Sequence, residues 1–113
     1  MKIVNVSKNS ILADEACIAD SFLSRLKGLL GRTEFKPGEG LIIKPCDSIH
    51  TFFMHFPIDV VFIDKQNKII KIYPLLKPWR LSSLFFSAVS CIELPSGILT
   101  KTNTQEGDYI MCE

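Results

Sequence analysis

The stretch "DVVFIDKQNKIIKIYPLL" (residues 59–76) constrains the fold of this chain more than any other. Its two halves are rich in β-branched and aromatic residues, the side chains that fit a pleated, half-buried surface. Only Lys65–Gln66–Asn67 separates them, and asparagine tolerates the left-handed backbone that a short hairpin loop requires. The pattern predicts an antiparallel hairpin with strands Asp59–Asp64 and Lys68–Leu76, ended by Pro74 and Pro78.

Further short strands surround it. Lys2–Val6, Ile11–Ala19, Leu41–Lys44, Ser87–Leu94 and Tyr109–Cys112 all read as β, and "LPSGILTKTN" has room for one helical turn. From Ser21 the period changes. Phe22, Leu23, Leu26, Leu29 and Leu30 fall on one arc at about 100° per residue, Ser21 is a good N-cap and Gly31 a natural stop. Many short strands with one amphipathic helix predict a mainly β (α+β) domain, either a small closed β-barrel or a two-sheet sandwich, with the helix packed against it.

A chain of 113 residues fits one domain, 1–113, and can bury a core without staples. Its 47% apolar and 22% charged composition is globular, and a formal charge of +1 gives no reason to expect nucleic acid. Cysteines 17, 46, 91 and 112 form no CxxC pair and suggest neither a zinc cradle nor a disulfide framework. They read as small buried hydrophobes. The start, "MKIVNVSKNS", lacks the apolar core of a signal peptide, and no run reaches membrane-spanning length, so a cytoplasmic address is expected.

Ahead of the hairpin lies "SIHTFFMHFPIDVVFID" (48–64), which holds both histidines. His50 and His55 are five residues apart, about 140° on a helix and on opposite faces of a strand. Neither geometry joins them, and no metal site is expected. Strand parity sets His50, Phe52 and Met54 on one face and Thr51, Phe53 and His55 on the other. Asp59 opens an apolar run, where an unpaired carboxylate would be strongly disfavoured, so it needs backbone amides near the Pro57 turn, His50 or an arginine as partner. Arg25 and Arg32, seven apart on the border of the apolar arc, are the arginine candidates.

Three blocks together resemble a bacterial and archaeal family, domain of unknown function 192: "SRLKGLLGR" (24–32), "GEGLIIKPCDSIHTFFMHFPIDVVFID" (38–64), and "CIELPSG" (91–97) followed by "EGDYI" (106–110). The resemblance spans most of the chain and implies a compact, mainly β fold but no reaction. The positions matching its motifs are Arg25, Gly28, Leu29, Met54, Pro57, Asp59, Glu93, Leu94, Pro95, Gly97, Gly107 and Asp108, with His50 and Thr51 matching a sub-pattern. His55 departs from it, standing where an arginine or lysine is usual, and is expected at the surface.

Three functional readings follow. The leading one is a non-enzymatic domain that binds a small ligand, peptide or protein partner in a polar cleft edged by Arg25, Arg32, His50, Thr51, Met54, Asp59 and Glu93. The second is a hydrolase- or lyase-like acid/base enzyme using His50 with Asp59 or Glu93. The third is an interaction module presenting the Trp79–Phe86 loop, for which core burial of the aromatics is the simpler expectation. No nucleophile motif, phosphate loop or dinucleotide fingerprint occurs, so no cofactor is expected.

Overall fold

The hairpin forms as its sequence predicts. In the computed structural model, which describes residues 1–21 and 28–113, β5 (Ile58–Asp64) and β6 (Ile69–Leu76) pair antiparallel with Val61 opposite Ile72. Asn67 takes the left-handed conformation at φ 66°. The Asp64 carboxylate accepts the N–H groups of Gln66 and Lys68 at 2.9 and 3.0 Å, which closes the loop. Pro74 does not end β6 as expected but lies within it. β6 is an outer strand, where a missing N–H interrupts no ladder.

The other strands are β1 (Ile3–Asn5), β2 (Ser10–Ala13), β3 (Glu15–Ala19), β4 (Glu39–Ile43), β7 (Ala88–Pro95) and β8 (Ile110–Cys112). They build a three-stranded sheet, β2-β1-β8, and a five-stranded sheet, β3-β4-β7-β5-β6, in which β3 and β4 run parallel. The fold is a two-sheet sandwich and not a closed barrel. β3 and β6 are the outer strands of the larger sheet and do not pair with each other. The expected single strand Ile11–Ala19 is split at Asp14, where the chain passes from one sheet to the other. There the N–H groups of Asp14 and Glu15 both donate to the Gly38 carbonyl, at 3.0 and 2.9 Å.

The five-stranded sheet is buried on both faces. Val61, Ile63, Ile92 and Leu94 point toward the smaller sheet, into a core with Ile3, Leu12 and Ile110. Ile58, Val60, Phe62 and Cys91 point the other way, into a core roofed by Leu29, Ile49 and Met54. The central strands therefore read as continuous apolar runs. The expected helix over 21–31 falls mainly on residues 22–27, outside the described residues; Gly28–Leu30 is a turn with Leu29 buried. The predicted helical turn in "LPSGILTKTN" is α1 (Ile98–Lys101).

Asp59 joins these parts. It is completely enclosed, on the face of β5 that looks toward the smaller sheet. One oxygen accepts the Leu75 N–H at 2.9 Å; the other accepts the N–H groups of Gly97 and Leu99 at 3.1 and 2.8 Å. The carboxylate thus closes the far end of β6 and begins α1, with Gly97 supplying the φ of 99° needed to aim its amide inward. Replacing Asp59 by Ala strands three amides, and we expect roughly 3–5 kcal/mol of destabilisation. A thermal melt checks this: the midpoint should fall by about ten degrees or more.

Candidate functional site

Beyond Asp59 the chain leaves β6 into the loop 77–87, which lies against the loop 44–57. A buried threonine fastens the two. The Thr51 hydroxyl donates to the Lys77 carbonyl at 2.6 Å and accepts the Arg80 N–H at 2.9 Å. Its backbone N–H donates to the Arg80 carbonyl and its carbonyl accepts the Trp79 N–H, both at 2.9 Å. Ser82 repeats the pattern, accepting the Ile49 N–H on its hydroxyl while its own N–H donates to the Ile49 carbonyl, both at 2.9 Å.

Phe56 and Phe85 of these loops pack against the core, but other large apolar side chains are turned out. Phe53 is 66% exposed, Trp79 55%, Leu81 70% and Phe86 89%. Four rings run together: His50 to Phe52 at 5.1 Å, Phe52 to Trp79 at 6.1 Å, and Phe53 edge-on to Trp79 at 4.6 Å. Phe53, Leu75 and Trp79 have φ of 65°, 54° and 64°. Bulky residues hold this conformation at a cost of about 1–2 kcal/mol each, and such strain concentrates where function requires it. Lys77 and Arg80 are exposed beside the rings, and no salt bridge engages either of them among the described residues.

The sequence candidates scatter over this architecture. His50 is exposed, with Nδ1 accepting the Phe52 N–H at 3.3 Å. Thr51 and Met54 are buried, one as the loop fastener and the other in the core. Residues 48–54 are not a strand, so the expected alternation does not apply. Thr51 and Met54 turn in together because the Met54 N–H donates back to the Thr51 carbonyl at 3.2 Å. Arg32 forms a forked pair with Glu39 at 2.8 and 3.0 Å and lies over the Phe35 ring. Arg25 lies outside the described residues. Asp59 and Glu93 occupy opposite faces of the larger sheet: Asp59 stands opposite Leu94, while Glu93 stands opposite Val60. No hydrogen bond joins His50 to a carboxylate among the described residues. A shallow recess beside α1, lined by Ile72, Pro74, Leu99, Thr100, Asn103 and Thr104, contains none of these candidates.

Glu93 is the anomaly. It is buried in β7 between Leu41 and Val60, and its Oε1 has no hydrogen-bond partner among the described residues. Burial pushes its carboxyl up to about 7. On the same strand face lies Cys91, whose sulfur is 3.0 Å from that of Cys46. The sequence reads these cysteines as packing groups, because their spacing fits neither a zinc cradle nor a disulfide framework and cysteine is often a small buried hydrophobe. The signal available was the two-residue spacing of Cys91 and Glu93 on a strand.

Comparison with known proteins agrees with the fold. The family model described as DUF192, an uncharacterised family, matches residues 3–112. The chain belongs to the DUF192 family. It is 39% identical to a UPF0127 protein of Pyrococcus horikoshii over 96% of both chains, and 32% identical to one of Pyrococcus furiosus over 96% of this chain and 95% of that one. A crystal structure of a protein of unknown function from Novosphingobium aromaticivorans superposes with a TM-score of 0.81, covering 98% of this chain and 82% of that one at 18% identity. At that identity the likeness concerns the fold alone. Among the described residues of this DUF192 chain, no helix is long and apolar enough to cross a membrane.

Two outcomes follow for stability. Thr51→Val removes the hydroxyl fastener and should cost about 2–3 kcal/mol, whereas His50→Ala should stay within about 0.5 kcal/mol in urea unfolding. Glu93 binds its proton more tightly folded than unfolded, where the usual value is 4.5. Its contribution is therefore full below about pH 4.5 and lost as pH rises to about 7, on the order of 3 kcal/mol in all. The groups around it are Leu41, Val60 and the thiols of Cys91 and Cys46. Glu93→Gln should flatten that slope. Glu39 and Asp108, both held below their usual range, act only at lower pH.

Proposed function

We propose that this DUF192 chain is a non-enzymatic binding domain that engages a partner protein through the aromatic surface of His50, Phe52, Phe53 and Trp79, extended by Leu81. The observation that carries the reading is the exposure of Phe53 and Trp79 on left-handed backbone, clamped there by buried hydrogen bonds from Thr51. An aromatic pair held ready in this way loses little conformational entropy on binding, and tryptophan and arginine are frequent anchors of interfaces. Lys77 and Arg80, without ion-pair partners among the described residues, favour a segment with apolar anchors and acidic flanks.

The polar-cleft reading draws less support, because Asp59 is saturated by three backbone amides and Glu93 faces the opposite side of the sheet. The acid/base reading meets the same difficulty, since His50 is exposed and pairs locally with the Phe52 N–H.

Selection of displayed random peptides on the wild-type chain, counter-selected on a Phe53→Ala/Trp79→Ala variant with an unchanged melt, tests the proposal. Enriched peptides should carry aliphatic or aromatic anchors among Asp and Glu. They should shift the fluorescence of Trp79, the single tryptophan, and bind about tenfold or more weakly to Phe53→Ala. Charge reversal at Lys77 and Arg80 should weaken them further. Peptides that bind both forms equally would overturn the reading, as would a Trp79 response confined to anionic phospholipid vesicles.

A further inference from the structure

A second cluster lies on the outer core of the larger sheet and plays no part in the aromatic surface. Cys91 sits in the middle of β7, flanked by Ile43 of β4 and Phe62 of β5, and is fully enclosed. Cys46 follows β4 in the loop passing over it, half-buried, with its N–H donating to the Val89 carbonyl at 3.2 Å. The two sulfurs approach to 3.0 Å. A disulfide bond is about 2.05 Å long, so side-chain movement of about 1 Å would close one. Two residues along the same strand face is Glu93, enclosed, with Oε1 unpartnered among the described residues.

These three groups have distinct chemical positions. One thiol is reachable, one is sealed behind it, and a carboxyl without a hydrogen-bond partner at Oε1 accompanies the sealed thiol. We infer that Cys46 and Cys91 form a reversible dithiol–disulfide couple that exchanges with disulfides of other molecules, with Cys46 as the attacking thiol, Cys91 as the closing thiol and Glu93 as acceptor of the Cys91 proton.

The exchange balances in two steps. The Cys46 thiolate attacks one sulfur of a disulfide RSSR, forming Cys46–S–S–R and releasing RS⁻. Glu93 then takes the Cys91 proton, and the resulting thiolate attacks the Cys46 sulfur, forming the Cys46–Cys91 bond and releasing the second RS⁻. The two RS⁻ take up the proton that Cys46 gave to water and the one that Glu93 passes on, so two protein thiols are oxidised by two electrons and one disulfide is reduced to two thiols. A reducing thiol reverses the sequence.

The electrostatics fit these roles. The hydrogen bond from Cys91 holds the Cys46 thiol below its ordinary value although burial opposes it, which favours thiolate at the reachable sulfur. The bond to Cys46 together with burial pushes the Cys91 thiol well up, so it needs a base at hand. A carboxyl pushed up to about 7 is suited to that transfer near neutral pH.

The test uses the full chain with Cys17→Ser and Cys112→Ser, which removes the two exposed thiols. It is equilibrated in graded mixtures of reduced and oxidised glutathione, trapped by alkylation and mapped by mass spectrometry. We expect an intramolecular Cys46–Cys91 disulfide that dithiothreitol reverses. Cys91→Ala should stop at the mixed disulfide of Cys46 with glutathione, and Cys46→Ala should leave Cys91 unmodified. Glu93→Gln, shown folded by its melt, should slow closure of the mixed disulfide roughly tenfold or more and abolish the rise of the closure rate through about pH 7. The inference would be overturned if the wild-type pair stayed reduced or if the Cys46 mixed disulfide persisted without closing. Closure in Glu93→Gln at the wild-type rate and pH profile would remove Glu93 from the account. None of these readouts uses a peptide partner, so they stand apart from the aromatic surface.

Discussion

A carboxylate with three backbone amides, buried in the middle of a β-sandwich, sets the geometry of everything that follows it. Asp59 is the only side chain that holds β5, the end of β6 and the start of α1 at one point among the described residues. By binding the Leu75 N–H it fixes the left-handed bend that turns the chain out of β6. Thr51 receives that chain at Lys77 and Arg80. Trp79 and Phe53 emerge from this sequence of constraints as an exposed pair, so the surface is a consequence of buried polar chemistry two steps away.

The same logic recurs just past α1, where the Thr104 N–H donates to the Leu99 carbonyl. Asn5, wholly buried, donates to Thr104 and Asp108 at 3.0 and 2.9 Å, and Lys8 closes the group on Asp108 at 2.9 Å. Burial alone would raise the Asp108 carboxyl, but these hydrogen bonds and the Gln105 N–H hold it below its usual range. Asp59 and Asp108 are therefore fasteners of loops to sheets. Glu93 stands apart from them: also buried, it has an oxygen with no partner among the described residues, and it shares a strand face with Cys91 of the thiol pair.

The regular elements were legible because periodicity and turn chemistry act locally. The β5–β6 hairpin, its Asn67 turn and the helical turn at Ile98 follow from neighbouring residues. The split at Asp14 was not legible, because it depends on the Gly38 carbonyl in a distant segment. The need of Asp59 for a partner is legible in its apolar surroundings, but the partners are not: the amides it accepts belong to Leu75, Gly97 and Leu99, distant in sequence, and not to the Pro57 turn. The outward aromatics were hidden for a different reason. Phe53, Leu75 and Trp79 are not residues that announce a left-handed backbone, and non-local contacts hold it: the Asp59 carboxylate on the Leu75 N–H and the Thr51 carbonyl on the Trp79 N–H. Likewise, strand parity applied to residues 48–54 fails because that segment pairs with loop 77–85 through side chains and one isolated bridge, His50 to Leu81, and not through a ladder.

The central claim, that this architecture exists to present an aromatic surface, is tested most directly by mapping amide chemical shifts of the labelled chain during titration with a selected acidic peptide. The account predicts changes concentrated at residues 50–53 and 77–81, with the amides of Leu75, Gly97 and Leu99 unmoved because Asp59 keeps them in place. Changes centred instead on the recess lined by Ile72, Leu99 and Asn103, with the Trp79 indole unaffected, would contradict it.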